Sequence, residues 1–351
     1  TEKRRSYHII NRMENVGGEL NAYTNKEETV VYSAFLEEHF QRAFELMSDI
    51  TFHSVFPPHE IEKEIEVIID EIHSYEDSPS ELIYDEFENL MFSGSQIGHN
   101  ILGEPEQLLT FNSGKALRFI TNHYQPQNVV FFSLGKTDFK RIVYYAEKYL
   151  SDLRFSTRLN NRIVPDIVES VKKVTEKDTS QGHVLLGFHS YSLHDSKRRV
   201  LNLLNNILGG PGMNSRLNIS LREKKGYVYN VDSSVTAYTD TGIVSIYFGC
   251  DKKNIEKCQA LIFKELRKMR NEKLTTLQLH AAKKQLMGQI GVMRDNNESL
   301  ALSLGKNFLH HNHFNTLEEV FERIELISSE QIQDVANEIF DENQLFSLIY
   351  N

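Results

Sequence analysis

The chain has 351 residues, which is more than one ordinary core holds and suits two domains of the usual ~100–200 residues each. Hydrophobic residues make up 40% and charged residues 25%, the balance of a globular protein, and no apolar run approaches the ~18 residues of a membrane-spanning helix. The formal net charge of −10 disfavours a nucleic-acid-binding surface and suits a basic or extended peptide as partner. The two cysteines, Cys250 and Cys258, are too few for a disulfide framework or a thiolate zinc cluster, so we interpret both as small buried apolar side chains.

The first part of the chain mixes strands and helices. A strand from Glu19 to Tyr23, a turn and a second strand from Thr29 to Phe35 predict a β-hairpin. Apolar residues at helical spacing predict a helix over 40–50, and a second helix of about 17 residues follows Pro57-Pro58. The main stripe of the second helix is Ile61, Ile65, Ile68 and Ile72. A polar break, Asp77-Ser78-Pro79, then caps a third helix.

A polar stretch, residues 156–181, shows no sustained period and is interpreted as a linker between two domains, 1–155 and 182–351. After it the order of elements repeats: a strand, a helix, a hairpin and two amphipathic helices, over 183–190, 197–208, 227–250, 254–270 and 276–294. The repetition suggests a duplicated α+β unit. Coincidence remains a competing explanation, because alternation of helices and strands is common.

Two carboxylates stand out on the second helix. Glu64 and Glu71 lie two turns apart on one line, beside the isoleucine stripe. A carboxylate at the margin of an apolar face needs a cation or a hydrogen-bond donor, so this position suits a metal ligand. The alternative is a pair of boundary glutamates whose carboxylates reach water or a lysine.

No complete local metal motif accompanies them. Lys63 stands where a His-Glu-x-x-His pair after His59 needs its second histidine, and Phe35 stands at the first ligand position of an inverted His-x-x-Glu-His ending at His39. The cluster of His310, His311 and His313 is interpreted as surface residues. The run Gly209 to Gly212 lacks the Lys-Ser/Thr of a phosphate loop.

Several short runs, each modest alone, occur in one order along nearly the whole chain. In the first part they are Gly17–Thr24, Glu64, Val67–Ile72, Gly98–Gly103 and Tyr124–Asn128. In the second part they are Gly209-Gly210, Ser215–Leu217 and Leu221–Tyr229. As a set they resemble the pitrilysin and processing-peptidase family of zinc peptidases.

The resemblance implies an α+β fold of two homologous α/β-sandwich-like halves, each a mainly antiparallel sheet covered by helices. It implies zinc as cofactor, a peptide as substrate, and pairing as a homodimer or as a heterodimer with a related subunit. Family enzymes bind zinc through the two histidines of His-x-x-Glu-His and a glutamate far downstream. In this sequence Glu71 matches that glutamate, and Glu64 matches the acidic residue that supports it.

The resemblance also assigns residues to the substrate. The segment Asn21, Ala22, Tyr23 and Thr24 is expected to pair with an extended peptide as an added strand. Arg222 and Tyr229 are expected to steady the reacting carbonyl and the developing oxyanion. A core tyrosine and a salt-bridged arginine are the alternative for this pair.

One departure from the family is serious. Counting back from Glu71 by the family spacing places the His-x-x-Glu-His motif a few residues before Thr1. We therefore expect a zinc endopeptidase for extended peptides whose present 351 residues are inactive alone. The alternative is a noncatalytic core or partner subunit of a processing-peptidase-like complex. A third possibility, an unrelated α+β binding protein, requires all of the matches to be accidental.

Overall fold

The computed structural model describes residues 1–153 and 162–351. They form two compact units, each assembled from separate stretches of the chain. Unit 1 comprises Thr1–Ile72, Arg294–Phe314 and the described part of Ile101–Arg162. Unit 2 comprises His73–Asn100, Ile163–Met293 and Asn315–Asn351.

The described residues contain helices and strands in alternation. The α-helices are α1 (Ser6–Glu14), α2 (Phe40–Phe52), α3 (Pro58–Glu76), α4 (Pro79–Met91), α5 (Pro105–Leu108), α6 (Ser113–His123), α7 (Phe139–Leu150), α8 (Arg198–Gly209), α9 (Ile255–Asn271), α10 (Thr276–Met293), α11 (Asn297–His311), α12 (Leu317–Glu325) and α13 (Ser329–Ile339). The strands are β1 (Glu19–Thr24), β2 (Thr29–Ala34), β3 (Lys172–Thr175), β4 (Gly182–Ser190), β5 (Val228–Ala237), β6 (Gly242–Cys250) and β7 (Phe346–Tyr350). None of these helices has both the length and the apolar character needed to cross a membrane.

Unit 2 is built on a five-stranded sheet of order β3-β7-β4-β6-β5. The pair β3–β7 is parallel, and the other neighbours are antiparallel. Alternate residues of β4 and β6 point to opposite faces, so the sheet supports two apolar clusters. The larger cluster joins the sheet to α8, α9 and α13, and the smaller one joins the other face to α4. Cys250 and Cys258 are buried free thiols in the larger cluster, as predicted.

Helix α4 lies close to the backbone of β4. A Cβ atom added to Gly187 would lie 2.7 Å from the ring of Phe87 and 2.8 Å from the carbonyl oxygen of Val244. Glycine is therefore needed at this position for the aromatic ring to reach the sheet. The hydroxyl of Tyr238 also donates a 2.6 Å hydrogen bond to Oε1 of Glu88, which ties α4 to the segment that follows β5.

Unit 1 contains the antiparallel hairpin β1–β2 and a set of helices. Its described part contains two small clusters of buried apolar residues, one of Met13, Ala43 and Leu46 and one of Phe40, Phe44 and Tyr145. Helix α3 belongs to this unit up to Ile72, which is its one buried residue; the other three isoleucines of its stripe are partly exposed.

The α+β class, with mainly antiparallel sheets covered by helices, is confirmed. The predicted linker over 156–181 begins within residues 154–161, which lie outside the described residues, and farther on it contains β3. This four-residue edge strand has mostly exposed side chains and gains its structure from pairing with β7, not from an apolar period. The division into two domains with a linker stays a prediction. The compact units also differ from a contiguous division, since α4 lies in unit 2 and α11 in unit 1.

Candidate functional site

The predicted substrate strand is an open edge of the unit 1 hairpin. Within the described part of the chain β1 pairs with β2 alone, from Glu19 opposite Ala34 to Thr24 opposite Thr29. Asn21, Ala22 and Thr24 are exposed, and Tyr23 is partly buried. The backbone N–H of Ala22 donates a 2.8 Å hydrogen bond to Oδ1 of Asn21. We infer that this donor faces away from β2, toward the open edge.

The turn of the hairpin is held by a charged cluster. The carboxylate of Glu28 accepts hydrogen bonds from Nε2 of His310 at 2.5 Å and from Nδ2 of Asn25 at 3.1 Å, and it forms a 3.0 Å ion pair with Nζ of Lys306. The same ammonium lies 5.0 Å from the ring centre of Tyr23. His310 and Lys306 are one turn apart on α11, so this helix and the turn meet through Glu28.

The electrostatics of Glu28 follow from these contacts. Burial acts to raise the pKa of its carboxyl, but the hydrogen bonds to it, that of His310 first, outweigh burial and lower the pKa to about 2. The sequence interpretation of His310 as a surface residue is wrong, because its side chain is 16% exposed and bonded to Glu28. Neither the spacing of the histidines nor the local pattern could reveal a partner so distant in the chain.

The two glutamates predicted for metal binding, Glu64 and Glu71, lie on α3 as expected from helical geometry. Both are exposed to solvent. Because water can solvate both carboxylates, neither needs a cation to offset burial. Their roles as metal ligand and supporting residue stay predictions.

Arg222 and Tyr229 are close together in unit 2. Arg222 lies in a π-helical turn, Asn218–Glu223, and its guanidinium carbon is 5.8 Å from the ring centre of Tyr229. The ladder of β5 with β6 shifts register between Val228 and Asn230, so Tyr229 occupies a bulge and is 84% exposed. π-Helical turns and β-bulges are common devices for directing a side chain at a functional site. A core position for this tyrosine is excluded by its exposure.

The predicted residues thus form three groups: the β1 edge and the α3 glutamates in unit 1, and the Arg222–Tyr229 pair in unit 2.

Comparison with known proteins gives two family matches. The family described as insulinase (peptidase family M16) matches residues 1–105, and the one described as peptidase M16 inactive domain matches residues 110–286. The chain is 31% identical over 349 residues to an uncharacterized zinc protease of Rickettsia bellii, covering 99% of this chain and 84% of that protein. The chain belongs to peptidase family M16. It is also 29% identical to the uncharacterized zinc protease YmxG of Bacillus subtilis, covering 99% of this chain and 85% of that protein.

The fold agrees with this M16 assignment. The crystal structure of a peptidase M16 inactive domain from Pseudomonas fluorescens matches with a TM-score of 0.89 at 18% identity, over 99% of this chain and 84% of that chain. The resemblance to zinc peptidases of the pitrilysin and processing-peptidase type is therefore confirmed for both sequence and fold.

These M16 relatives are named zinc proteases, so the fit of the described residues to a zinc ion bears on the function. A catalytic zinc takes three protein ligands from His, Cys, Asp or Glu. The described residues contain no group of three such side chains that could hold a metal ion, and residues 154–161 include none of these four residue types. Glu71 offers one ligand at most, so the residues described here do not by themselves fit the metal.

Proposed function

We propose that this M16 chain acts in zinc-dependent cleavage of extended peptides, as an endopeptidase subunit, and that its 351 residues are inactive alone. The observation that carries the proposal is the open edge of β1, where no second strand of the described residues pairs with its backbone. An extended peptide can add to such an edge as a further strand, using main-chain hydrogen bonds that do not depend on its side chains.

In this proposal Asn21 to Thr24 form the peptide-binding segment. The Ala22 N–H is already satisfied by its neighbour Asn21, so a peptide carbonyl would exchange one acceptor for another without leaving a donor unpaired. The cluster around Glu28 supports this role, because it fixes the turn at the end of the same strand.

Arg222 and Tyr229 are proposed to act on the reacting peptide bond. Both groups donate hydrogen bonds, and the guanidinium is permanently charged, so together they can stabilise negative charge that develops on a carbonyl oxygen. The exposure of Tyr229 supports this role over packing, because its hydroxyl is available to a ligand. Glu71 is proposed as one metal ligand and Glu64 as the acidic residue that supports it.

The test separates peptide binding from metal binding in the same chain. After dialysis against zinc, metal content is measured by atomic absorption, and cleavage of an internally quenched extended peptide is followed with and without a chelator. We expect far less than one zinc per chain and no chelator-sensitive cleavage, because one carboxylate does not replace three ligands. Binding of the same peptide sequence is expected to persist. It can be measured through a single tryptophan placed in the peptide, because the chain has no tryptophan of its own.

Each part of the proposal has its own contrary result. One tightly held zinc per chain, or cleavage that a chelator stops, contradicts inactivity of the present residues. Failure of every extended peptide to bind contradicts the substrate role of β1.

A second candidate is a noncatalytic subunit that pairs with a second copy or with a related chain. The observation that favours it is the lack of a three-ligand group among the described side chains. The two candidates differ in a mixture with an M16 subunit that carries its own His-x-x-Glu-His motif. If this chain contributes Arg222 and Tyr229 to the active site, Tyr229→Phe should lower the turnover of that mixture. If this chain is a scaffold, the same substitution should leave the turnover unchanged.

A further inference from the structure

The outer side of α7 carries apolar side chains that unit 1 does not bury. Tyr145 packs the inner side of this helix against α2 in one of the two clusters of unit 1. Phe139, Val143 and Tyr144 lie outside that cluster and are exposed, Phe139 to 75%. Phe139 and Val143 are one turn apart and Tyr144 is adjacent, so the three side chains form a continuous patch. A continuous exposed apolar patch, unlike a single exposed side chain, marks an interaction surface.

The same side of α7 is basic. Lys140 and Lys148 lie one turn before and one turn after Tyr144, so these three side chains follow one line along the helix. Both lysines are exposed. Glu147 is the one acidic residue in the sequence of α7, which also contains Arg141. We refer to Phe139, Lys140, Val143, Tyr144 and Lys148 as the α7 face.

Unit 2 contains a groove of the opposite charge, the α10–α12 groove. It lies between these two helices and has a volume of about 730 Å³, within the ~300–1,000 Å³ of binding clefts. Three apolar and three acidic residues line it: Met287, Phe321, Leu326, Glu318, Glu322 and Glu325. Leu326 is 80% exposed, so the apolar part of the groove is open to solvent.

The groove is preformed, because both ends of α12 are fixed. At the start of the helix the hydroxyl of Thr316 accepts a hydrogen bond from the N–H of Glu319, and the carboxylate of Glu319 accepts one from the N–H of Thr316. At its end Nζ of Lys283, on α10, donates a 2.6 Å hydrogen bond to the carbonyl oxygen of Glu325 and lies 3.9 Å from Oε2 of the same residue. A ligand therefore does not have to order this helix before it binds.

We propose that the α7 face of one copy of this chain docks in the α10–α12 groove of another copy. A helix that lays its apolar side into an apolar groove is a common mode of recognition. The apolar patch of α7 meets Phe321 and Leu326, and its lysines meet the glutamates of the groove. Each copy has a net charge of −10, so two copies repel each other unless a local match of charge brings them together. The α7 face and the groove supply that match.

Helix α6 of unit 1 is also basic but fits the groove less well. Its basic residues are Lys115 and Arg118, and its exposed apolar residues are Leu117 and Phe119. Because these two apolar residues are two positions apart on a helix, they point to different sides and form no stripe. The ring of Phe119 also packs on that of His123 in its own helix, with 4.5 Å between the centres.

The proposed contact joins two unlike surfaces. Each copy can therefore offer its α7 face to one neighbour and its groove to another, whereas in a two-fold interface one patch meets itself. The contact uses neither the β1 edge nor Arg222 and Tyr229. The inference thus does not rest on the proposed function, and either can fail without the other.

Sedimentation velocity over a wide range of concentration tests the contact in the 351-residue chain. Lys140→Glu reverses one charge of the α7 face, and Glu322→Lys reverses one charge of the groove. Either substitution should weaken self-association at least ~10-fold, because a repulsive pair replaces an attractive one. Raised salt should also weaken the association of the wild type.

Mixing the two variants is the deciding step. The Lys140→Glu chain keeps an intact groove, and the Glu322→Lys chain keeps most of its α7 face opposite that groove with every charge unchanged. One wild-type contact can therefore form between the two variants, and we expect the mixture to associate at about the wild-type affinity although neither variant does so alone.

Two control variants reverse exposed charges elsewhere, Arg118→Glu on α6 and Glu272→Lys between α9 and α10. Both should associate like the wild type. The melting temperatures of all four variants should stay close to that of the wild type, because all four positions are exposed.

Several results would overturn the docking of α7 in the groove. A wild type that sediments as a monomer at every concentration excludes it, and so do variants that associate as well as the wild type. A mixture that does not recover association shows that the two surfaces do not meet across copies. Equal weakening by Arg118→Glu and Lys140→Glu shows a general effect of charge. A monomeric wild type that binds anionic phospholipid vesicles, and loses that binding in Lys140→Glu, assigns the α7 face to a lipid surface.

Discussion

At the scale of single residues, Glu28 lies in an environment that several side chains of unit 1 fix together. Its side chain is 10% exposed and contacts an imidazole, an ammonium and an amide at once. Such a carboxylate stabilises the fold only while it is ionised, because its partners are donors or cations. The ionisation of Glu28 therefore contributes to the acid stability of the hairpin region.

The sign of this dependence follows from the lowered pKa. The ordinary pKa of 4.5 falls to about 2 in the fold, so the stabilisation is fully present above about 4.5 and is lost as pH falls toward about 2. Glu28→Gln should lower the free energy of unfolding by about 2 kcal/mol near neutral pH and by little near pH 2. Urea unfolding of both proteins across this range measures the difference.

The control for this prediction is Glu62→Gln, which removes an exposed carboxylate from α3. Its difference from the wild type should be small and nearly constant with pH. A difference for Glu28→Gln that is equally constant from neutral pH to pH 2 contradicts the assigned role of the Glu28 contacts.

At the scale of secondary structure, the hairpin shows what a local pattern can establish. Alternation over 19–23 and 29–35 with a polar turn between them predicts β1 and β2 to within one residue. Helix α2 is likewise recovered from its apolar spacing. Each of these elements has a period that its own side chains define.

Elements whose structure depends on distant partners could not be predicted in this way. Strand β3 has only four residues and forms because it pairs with β7. The packing of α4 on its sheet depends on contacts such as that of Phe87 with Gly187. The same holds for the sites. The places of Glu64 and Glu71 on one helix follow from helical geometry, whereas the contact of Glu28 with His310 joins residues that only the fold brings together.

The open edge of β1 yields a prediction at this scale. Ala22→Pro removes a donor that faces away from β2, a position where an edge strand tolerates proline, so stability should fall by at most about 1 kcal/mol. Affinity for an extended peptide should fall at least ~10-fold, because a main-chain hydrogen bond to the added strand is lost. Thermal unfolding and tryptophan fluorescence of the bound peptide measure the two effects.

Two comparisons sharpen this test. Ala22→Gly keeps the N–H and should bind peptide nearly as well as the wild type. Tyr23→Pro removes the neighbouring donor, which by the alternation of an antiparallel pair points toward β2, and should destabilise the hairpin itself. Unchanged peptide affinity in Ala22→Pro argues against strand addition at this edge.

At the scale of the whole molecule, the two compact units differ in how much apolar surface they bury. The largest cluster of unit 2 contains 30 buried residues, and a second cluster lies on the other face of its sheet. Each cluster of unit 1 contains 3. Large apolar side chains of unit 1 also stay exposed, among them Leu109, Phe119, Phe139 and Tyr144.

Because burial of apolar surface is the main source of stability, unit 1 should open before unit 2. We expect amide hydrogen exchange in α2 and α7 to need at least about 2 kcal/mol less opening free energy than exchange in β4 and β6. Two fully buried leucines serve as a matched pair, Leu46 in unit 1 and Leu186 in unit 2. Leu46→Ala should accelerate amide exchange in α2 and α7, while β4 and β6 keep their protection. Leu186→Ala should lower the opening free energy of β4 and β6 by about 2–5 kcal/mol. A single opening transition shared by all these amides, shifted equally by either substitution, would show that the chain unfolds as one cooperative body.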